Sequence, residues 1–170
     1  PDHLDRYIGF TEYCLSKYNI LKNQDEKDDI IINFDDPNLK LIKKENVINF
    51  SKYENISKGA YLSQNGDMYY SDGDDCQEFI INISDLNLIG YHNYENVLAG
   101  ICALKSYGVS LEKIKQGLRM FEAIEHRMEF VRDINGVSFI NDSKATNIVS
   151  LFYALLSYND GKVILIVGGK

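Results

Sequence analysis

A surplus of positive charge is missing from this sequence: Lys and Arg number 18 against 25 Asp and Glu, for a formal net charge of −7. Broad attraction to nucleic acid or to an anionic membrane needs clustered Lys and Arg, so neither is expected as a partner, and any anionic ligand must be held locally. Cysteine is scarce as well. Cys14, Cys76 and Cys102 are odd in number, far apart and in no metal-ligand spacing. That argues against a disulfide framework or a zinc site and predicts buried, idle thiols in a reducing compartment. No apolar run approaches the ~20 residues that span a bilayer, and no basic start with an apolar middle marks a signal peptide. The expected location is the cytoplasm. The phosphate-cradling pattern GxxxxGKS/T is absent too. The segment Ser71-Asp72-Gly73-Asp74-Asp75 lacks the later Glu of a calcium loop, which leaves a solvated turn.

What is present suits a globular protein. Hydrophobic residues are 45% and charged residues 25% of 170, enough for a packed core in one domain or parts of two. The two ends, Pro1-Asp2-His3 and the Gly168-Gly169 turn after an apolar run, read as cuts, so a fragment is expected.

Along the chain, Leu4, Tyr7, Ile8, Thr11 and Leu15 have near-helical spacing, and Ile30-Ile31-Ile32-Asn33 reads as a short buried strand ending at Asp35-Asp36-Pro37. Short alternating runs from Val47 to Ile83 predict a small antiparallel meander, with Asn65-Gly66 as a two-residue hairpin turn in which both residues take positive φ. Tyr94, Val97, Leu98, Ile101 and Leu104 predict a helix with Asn93 available as its N-cap and Gly108 as its stop. Ser110 can cap a second helix that turns Ile114, Leu118 and Phe121 inward. After a boundary near Ala123 come a turn at Asn135-Gly136, the strand Val137 to Ile140, a polar loop from Asn141 to Asn147, a helix to about Tyr158, a turn at Asp160-Gly161, and a strand from Val163 to Val167. Strand, helix, strand opens a second parallel α/β unit.

The loop after Ile140 is the richest segment, since ligands of α/β sheets bind beyond the carboxyl ends of strands. Asp142 can bond a ribose hydroxyl or orient a cation, Lys144 can hold a phosphate or carboxylate, and Thr146 can bond a carboxylate oxygen. A solvated loop with Asn147 capping the next helix is the plain alternative. His3 stands between two carboxylates, a setting for a divalent cation or for an ordinary hydrogen-bonded histidine. Arg127 can reach a phosphate between domains or pair with Glu125 or Glu129. Asn93 and Asn96, one helical turn apart, can read a nucleobase edge, or Asn93 can be a simple cap. Lys17 reads as a solvated helical lysine.

Asp2-His3-Leu4-Asp5-Arg6-Tyr7, Gly90 through Asn96, His126-Arg127-Met128-Glu129 and Asn141 through Asn147 together resemble the Mur ligase family, in order and over essentially the whole chain. The last of these motifs looks like that of the members that add D-glutamate. The resemblance implies an α/β fold. Residues 1–123 would be the later part of a central ATP-binding domain, with a parallel sheet, helices and a small antiparallel meander. Residues 124–170 would begin a Rossmann-like C-terminal domain with its first β-α-β unit. It further implies ATP and Mg2+, with UDP-N-acetylmuramoyl-L-alanine and D-glutamate as substrates joined through an acyl phosphate. By resemblance, His3 matches a magnesium ligand and Lys17 a carbamylated lysine that supports the metal and the chemistry. Asn93 and Asn96 match adenine contacts, Arg127 a phosphate contact and Asp142 a nucleotide contact. Lys144, also with a catalytic role, and Thr146 match the D-glutamate and acyl-phosphate end. The phosphate loop, an upstream acid for the metal, and the UDP-binding domain have no counterpart here, so the isolated chain is expected to be inactive. A short non-catalytic nucleotide-binding α/β module, or a ligase adding another amino acid, are the alternatives.

Overall fold

The computed structural model describes residues 6–73, 76–88, 91–122, 124–158 and 162–168. His3 with its neighbours Asp2, Leu4 and Asp5, the pair Asp74 and Asp75, the boundary at Ala123 and the turn at Asp160-Gly161 lie outside them.

The main body is one mixed sheet with helices against it. Strands β1 (Ile30–Asn33), β2 (Val47–Ser51), β3 (Lys58–Leu62), β4 (Asp67–Asp72) and β5 (Gln77–Asn82) lie in that order. The first three pair parallel and the last three antiparallel, so the antiparallel meander expected from Val47 to Ile83 is confined to β3, β4 and β5, while β2 pairs parallel with both β1 and β3. The turn into β4 differs from expectation. Gly66 has φ +83 but Asn65 does not enter the left-handed region. Ser63 and Asp67 are instead joined by a backbone bond of 2.8 Å, and Gly66 N–H donates to Ser63 O. This is a three-residue loop with glycine last, one of the common hairpin closures.

Helix α2 (Tyr91–Ser106) packs on β1, β2 and β3, and α3 (Leu111–Met120) packs on β5. Val97, Leu98, Ile101 and Cys102 of α2 meet Ile48, Phe50, Ala60, Met68 and Ile80 in the core, with Ile114 of α3 beside them. Burial pushes the Cys102 thiol up to about 12, so it is inert as a nucleophile. The expectation for the other two thiols was wrong for Cys76, which is exposed, while Cys14 is half-buried. α2 ends at Ser106 with Gly108 N–H on Lys105 O and Val109 N–H on Leu104 O, the paired bonds of a Schellman stop.

Five smaller expectations are corrected. α2 starts at Tyr91, so Asn93 lies inside the first turn and is not the cap. Ser110 occupies the N-cap position of α3 but its side chain makes no capping bond, and Phe121 falls just past the helix, 46% exposed. Leu104, on the flank of the α2 stripe, is 42% exposed. The first helix, α1, runs only from Phe10 to Tyr18, because the Glu12 carboxylate takes the Ile8 N–H at 2.7 Å and fixes the start there. None of its residues is buried.

The last part is a hairpin and a helix: β6 (Glu129–Ile134), β7 (Val137–Asn141) and α4 (Ile148–Leu156). β6 and β7 pair antiparallel with Ile134 opposite Val137. Asn135 (φ 52) and Gly136 (φ 79) form the two-residue turn with both residues left-handed that fits the twist of flanking strands. The expected strand from Val163 to Val167 is not in a ladder, and its residues are exposed. A strand exists only through hydrogen bonds to a neighbour, and among the described residues β7 pairs with β6 alone while 163–167 pairs with no strand. Among the described residues this part shows an antiparallel hairpin followed by a helix, and the parallel pairing expected of a β-α-β unit is not formed. No helix among the described residues is long and apolar enough to cross a membrane.

Candidate functional site

The hairpin answers a question the sequence raised, namely how two polar motifs some fifteen positions apart act together. With its tight turn at Asn135-Gly136, its open end sets Glu129 directly opposite Asn141. The segment entering β6 and the loop leaving β7 are thereby joined. Lys144 N–H donates to His126 O at 3.1 Å, and Met128 N–H donates to Asp142 Oδ1 at 3.1 Å. The Asn141 amide lies 2.8 Å from His126 Nδ1 and 3.2 Å from Glu129 Oε2. His126 N–H donates to the same Glu129 oxygen at 2.7 Å. Asn147 caps α4 by accepting from Ser150 N–H at 2.8 Å, the plain role foreseen for it.

This knot holds an unusual backbone. His126 (φ 68) and Met128 (φ 48) are both left-handed, and Arg127 stands between them. A non-glycine residue there costs of order 1–3 kcal/mol and persists only where neighbours over-determine it.

Against α2 the knot and α4 form a cleft of about 130 Å³, lined by His92, Arg127, Asp142, Lys144, Ser150 and Tyr153 among others. Two cations, one acid and an imidazole thus share one small space. The His92 and Tyr153 rings lie 6.4 Å apart, centre to centre. Burial first, and then the Arg127 guanidinium, hold the His92 imidazole below its ordinary value, while Asp142 and Glu95 pull the other way. Its Nδ1 is buried with no hydrogen-bond partner among the described residues, as is the Tyr158 hydroxyl, which burial and then the Asp142 charge push up. Buried polar atoms are normally satisfied, so orphans beside a charged cleft mark a place for a polar ligand or water. Next to the cleft, Lys52 at the end of β2 pairs with Glu95 of α2 at 2.8 Å, its side chain only 6% exposed. Burial works against that charge, but Glu95 outweighs it and the net effect raises the lysine.

Of the residues singled out in the sequence, Arg127, Asp142 and Lys144 converge on this cleft. Thr146 is exposed and does not line it. Asn93 is buried and Asn96 exposed, so the two amides of one helical face have different surroundings. Lys17 is exposed, its amine 5.4 Å from the centre of the Tyr13 ring. Reading the sequence missed His92, Ser150 and Tyr153. Ser150 and Tyr153 are one helical turn apart on α4, just after the capping Asn147, and that spacing was the available signal.

A nucleotide fits this donor set in part. The volume is below the ~300–1,000 Å³ of pockets that enclose a whole small ligand, so the cleft suits a ribose or a single phosphate. Among the described residues no three His, Cys, Asp or Glu groups converge to hold a metal ion, and His3 lies outside those residues.

Comparison with known proteins gives the same direction. Residues 1–104 match the Mur ligase middle domain. The UDP-N-acetylmuramoylalanine--D-glutamate ligase of Acidobacterium capsulatum is 40% identical over 173 residues, covering 100% of this chain and 37% of the relative. The ligase of the same name from Natranaerobius thermophilus is 39% identical, again over 100% of this chain and 37% of the relative. The chain thus spans a little over a third of the length of these relatives. Among solved structures, MurF from Acinetobacter baumannii superposes with a TM-score of 0.70 at 20% identity, covering 92% of this chain and 35% of that one. A pseudomurein peptide ligase type C from Methanothermus fervidus gives 0.70 at 21% identity, covering 92% and 39%. Those two likenesses establish the shared fold. With the middle-domain match spanning residues 1–104 and the hairpin knot following it, the chain belongs to the Mur ligase family.

Proposed function

We propose that this chain is part of an ATP-dependent ligase that adds D-glutamate to UDP-N-acetylmuramoyl-L-alanine in peptidoglycan synthesis, a cytoplasmic step. The observation that carries the proposal is the convergence of Arg127, Asp142 and Lys144 on one cleft against α2. The 40% identity to a ligase of that name supports the choice of substrates.

In this reading residues 1–123 belong to the central ATPase domain and 124–170 to the next one, so the cleft lies at their junction. A carboxylate oxygen of the UDP substrate attacks the γ-phosphorus of ATP, and ADP leaves. The D-glutamate amine then attacks the acyl carbon of the resulting acyl phosphate, and phosphate departs as the amide forms. Negative charge builds on the transferring group, and fixed cations stabilise it. Arg127 offsets phosphate charge as a planar five-donor fork. Asp142 takes a ribose hydroxyl with the oxygen that Met128 leaves free. Asn93 and Asn96 contact adenine. Lys144 and Thr146 take the carboxylate side of D-glutamate, with Lys144 also facing the developing intermediate. On resemblance to the family alone, His3 and a carbamylated Lys17 would hold magnesium, which would offset phosphate charge.

The test is a phosphate-release assay on the full-length protein with ATP, UDP-N-acetylmuramoyl-L-alanine and one amino acid at a time. Turnover with D-glutamate, and none with L-lysine, meso-diaminopimelate or D-alanyl-D-alanine, supports the reading. Turnover with another amino acid makes it a sibling ligase, and ATP binding without turnover makes it a non-catalytic module.

A further inference from the structure

We infer that Glu129 and Asn141 are positioning residues that fix the aim of Arg127 into the cleft. The inference rests on the proposed nucleotide role of Arg127. Neither residue lines the cleft, yet both sit at the one place where a change must reach it.

Arg127 has little else to orient it. Its N–H bonds Ile124 O at 3.1 Å, and its own backbone lies between the left-handed His126 and Met128. The direction of its side chain is therefore set by whether those two residues keep positive φ. Unaided, both would relax toward the broader allowed regions. Each is tied by its N–H: His126 to the Glu129 carboxylate at 2.7 Å, and Met128 to the Asp142 carboxylate at 3.1 Å. A third bond, from Lys144 N–H, takes His126 O.

Glu129 is in turn aimed by Asn141. One amide nitrogen of Asn141 reaches Glu129 Oε2 at 3.2 Å and His126 Nδ1 at 2.8 Å. The Asn141 carbonyl oxygen meanwhile accepts from Ser143 N–H at 3.1 Å, which holds the amide in its orientation. Glu129 and Asn141 face each other as register partners across the hairpin. The pair thus locks the two motifs in register at the end opposite the Asn135-Gly136 turn, where fraying would otherwise begin.

The experiment is a double-mutant cycle in the full-length protein, read as kcat and as KM for ATP. Glu129→Ala and Asn141→Ala are each expected to raise KM for ATP about threefold to tenfold, the range of one lost hydrogen bond. Glu129→Gln keeps an acceptor for the His126 N–H and is expected to restore most of the loss. The deciding arm is the Arg127→Ala background, in which adding Glu129→Ala or Asn141→Ala is expected to change KM less than twofold, because the side chain they aim is gone. Multiplicative effects in that background overturn the inference, since the two residues would then act on something other than Arg127. If Glu129→Ala fails to fold, the cycle is decided on Asn141→Ala and Glu129→Gln. A wild-type protein with no ATP-dependent turnover, or an Arg127→Ala variant with unchanged KM for ATP, refutes the nucleotide reading itself and is distinct from either result above.

Discussion

Replacing Asp142 separates the two jobs the structure gives its carboxylate. One oxygen accepts from Met128 N–H at 3.1 Å, and Met128 is 6% exposed with φ 48. Asp142→Ala removes that acceptor and leaves a buried N–H unpaired at a strained residue, a loss of about 1–3 kcal/mol of folding stability. Asp142→Asn can present its amide oxygen to the same N–H, so its loss should stay near the low end, under about 1 kcal/mol. Urea denaturation of both variants in the full-length protein measures the difference. The charge is read separately. Because Asp142 acts to raise the His92 imidazole against burial and Arg127, either substitution should lower the His92 titration midpoint, followed by its ring-proton NMR signals. Equal stability of the Ala and Asn variants would refute the account of the Met128 bond. An unmoved His92 midpoint would show that the carboxylate does not act on that ring.

Four further outcomes are expected. The isolated 170-residue chain should show no ligase and no ATPase turnover in a phosphate-release assay, because it contains no GxxxxGKS/T loop to cradle the β- and γ-phosphates. Lys17→Ala in the full-length protein should lower kcat strongly, with added short carboxylic acids restoring part of it; wild-type rates would make it an ordinary exposed lysine. Thr146→Val should weaken D-glutamate by the loss of a bond to a charged group, about 1.5–3 kcal/mol, seen in KM for D-glutamate, and Lys144→Ala should lower kcat as well. Finally, His92 is held below its ordinary value, so below about pH 6.5 the unfolded chain binds the proton more readily. Stability is then present in full above that pH and falls as pH drops through the folded midpoint. His92→Gln should flatten that acid slope in urea titrations between pH 7.5 and 5.

Much of the main body was legible because its signals are local and repeated. The Ile30-Ile31-Ile32 run, the α2 stripe of Val97, Leu98 and Ile101, and the Gly108 stop each follow from backbone sterics or helical periodicity. Both Asn-Gly pairs announced turns, yet only Asn135-Gly136 adopts the doubly left-handed form. The choice depends on where pairing resumes, and the dipeptide does not encode it. The charged lining of the cleft was legible, since Arg127, Asp142 and Lys144, singled out by motif, all line it. Its shape was not, because it depends on register: only when Glu129 stands opposite Asn141 do the motifs meet. His92 and Tyr153 were hidden for the same reason, each being unremarkable on its own helix and significant only across the gap between α2 and α4. The strand expected from Val163 to Val167 shows the limit of apolar runs as evidence, since composition allows a strand but a ladder partner makes one.

The most direct test of the central claim is a crystal structure of the full-length protein with a non-hydrolysable ATP analogue. The nucleotide is expected beside α2, with the Arg127 guanidinium on a phosphate, the Asp142 carboxylate on a ribose hydroxyl, and the Met128 N–H bond to Asp142 retained. A nucleotide bound away from His92, Arg127 and Asp142 would contradict it.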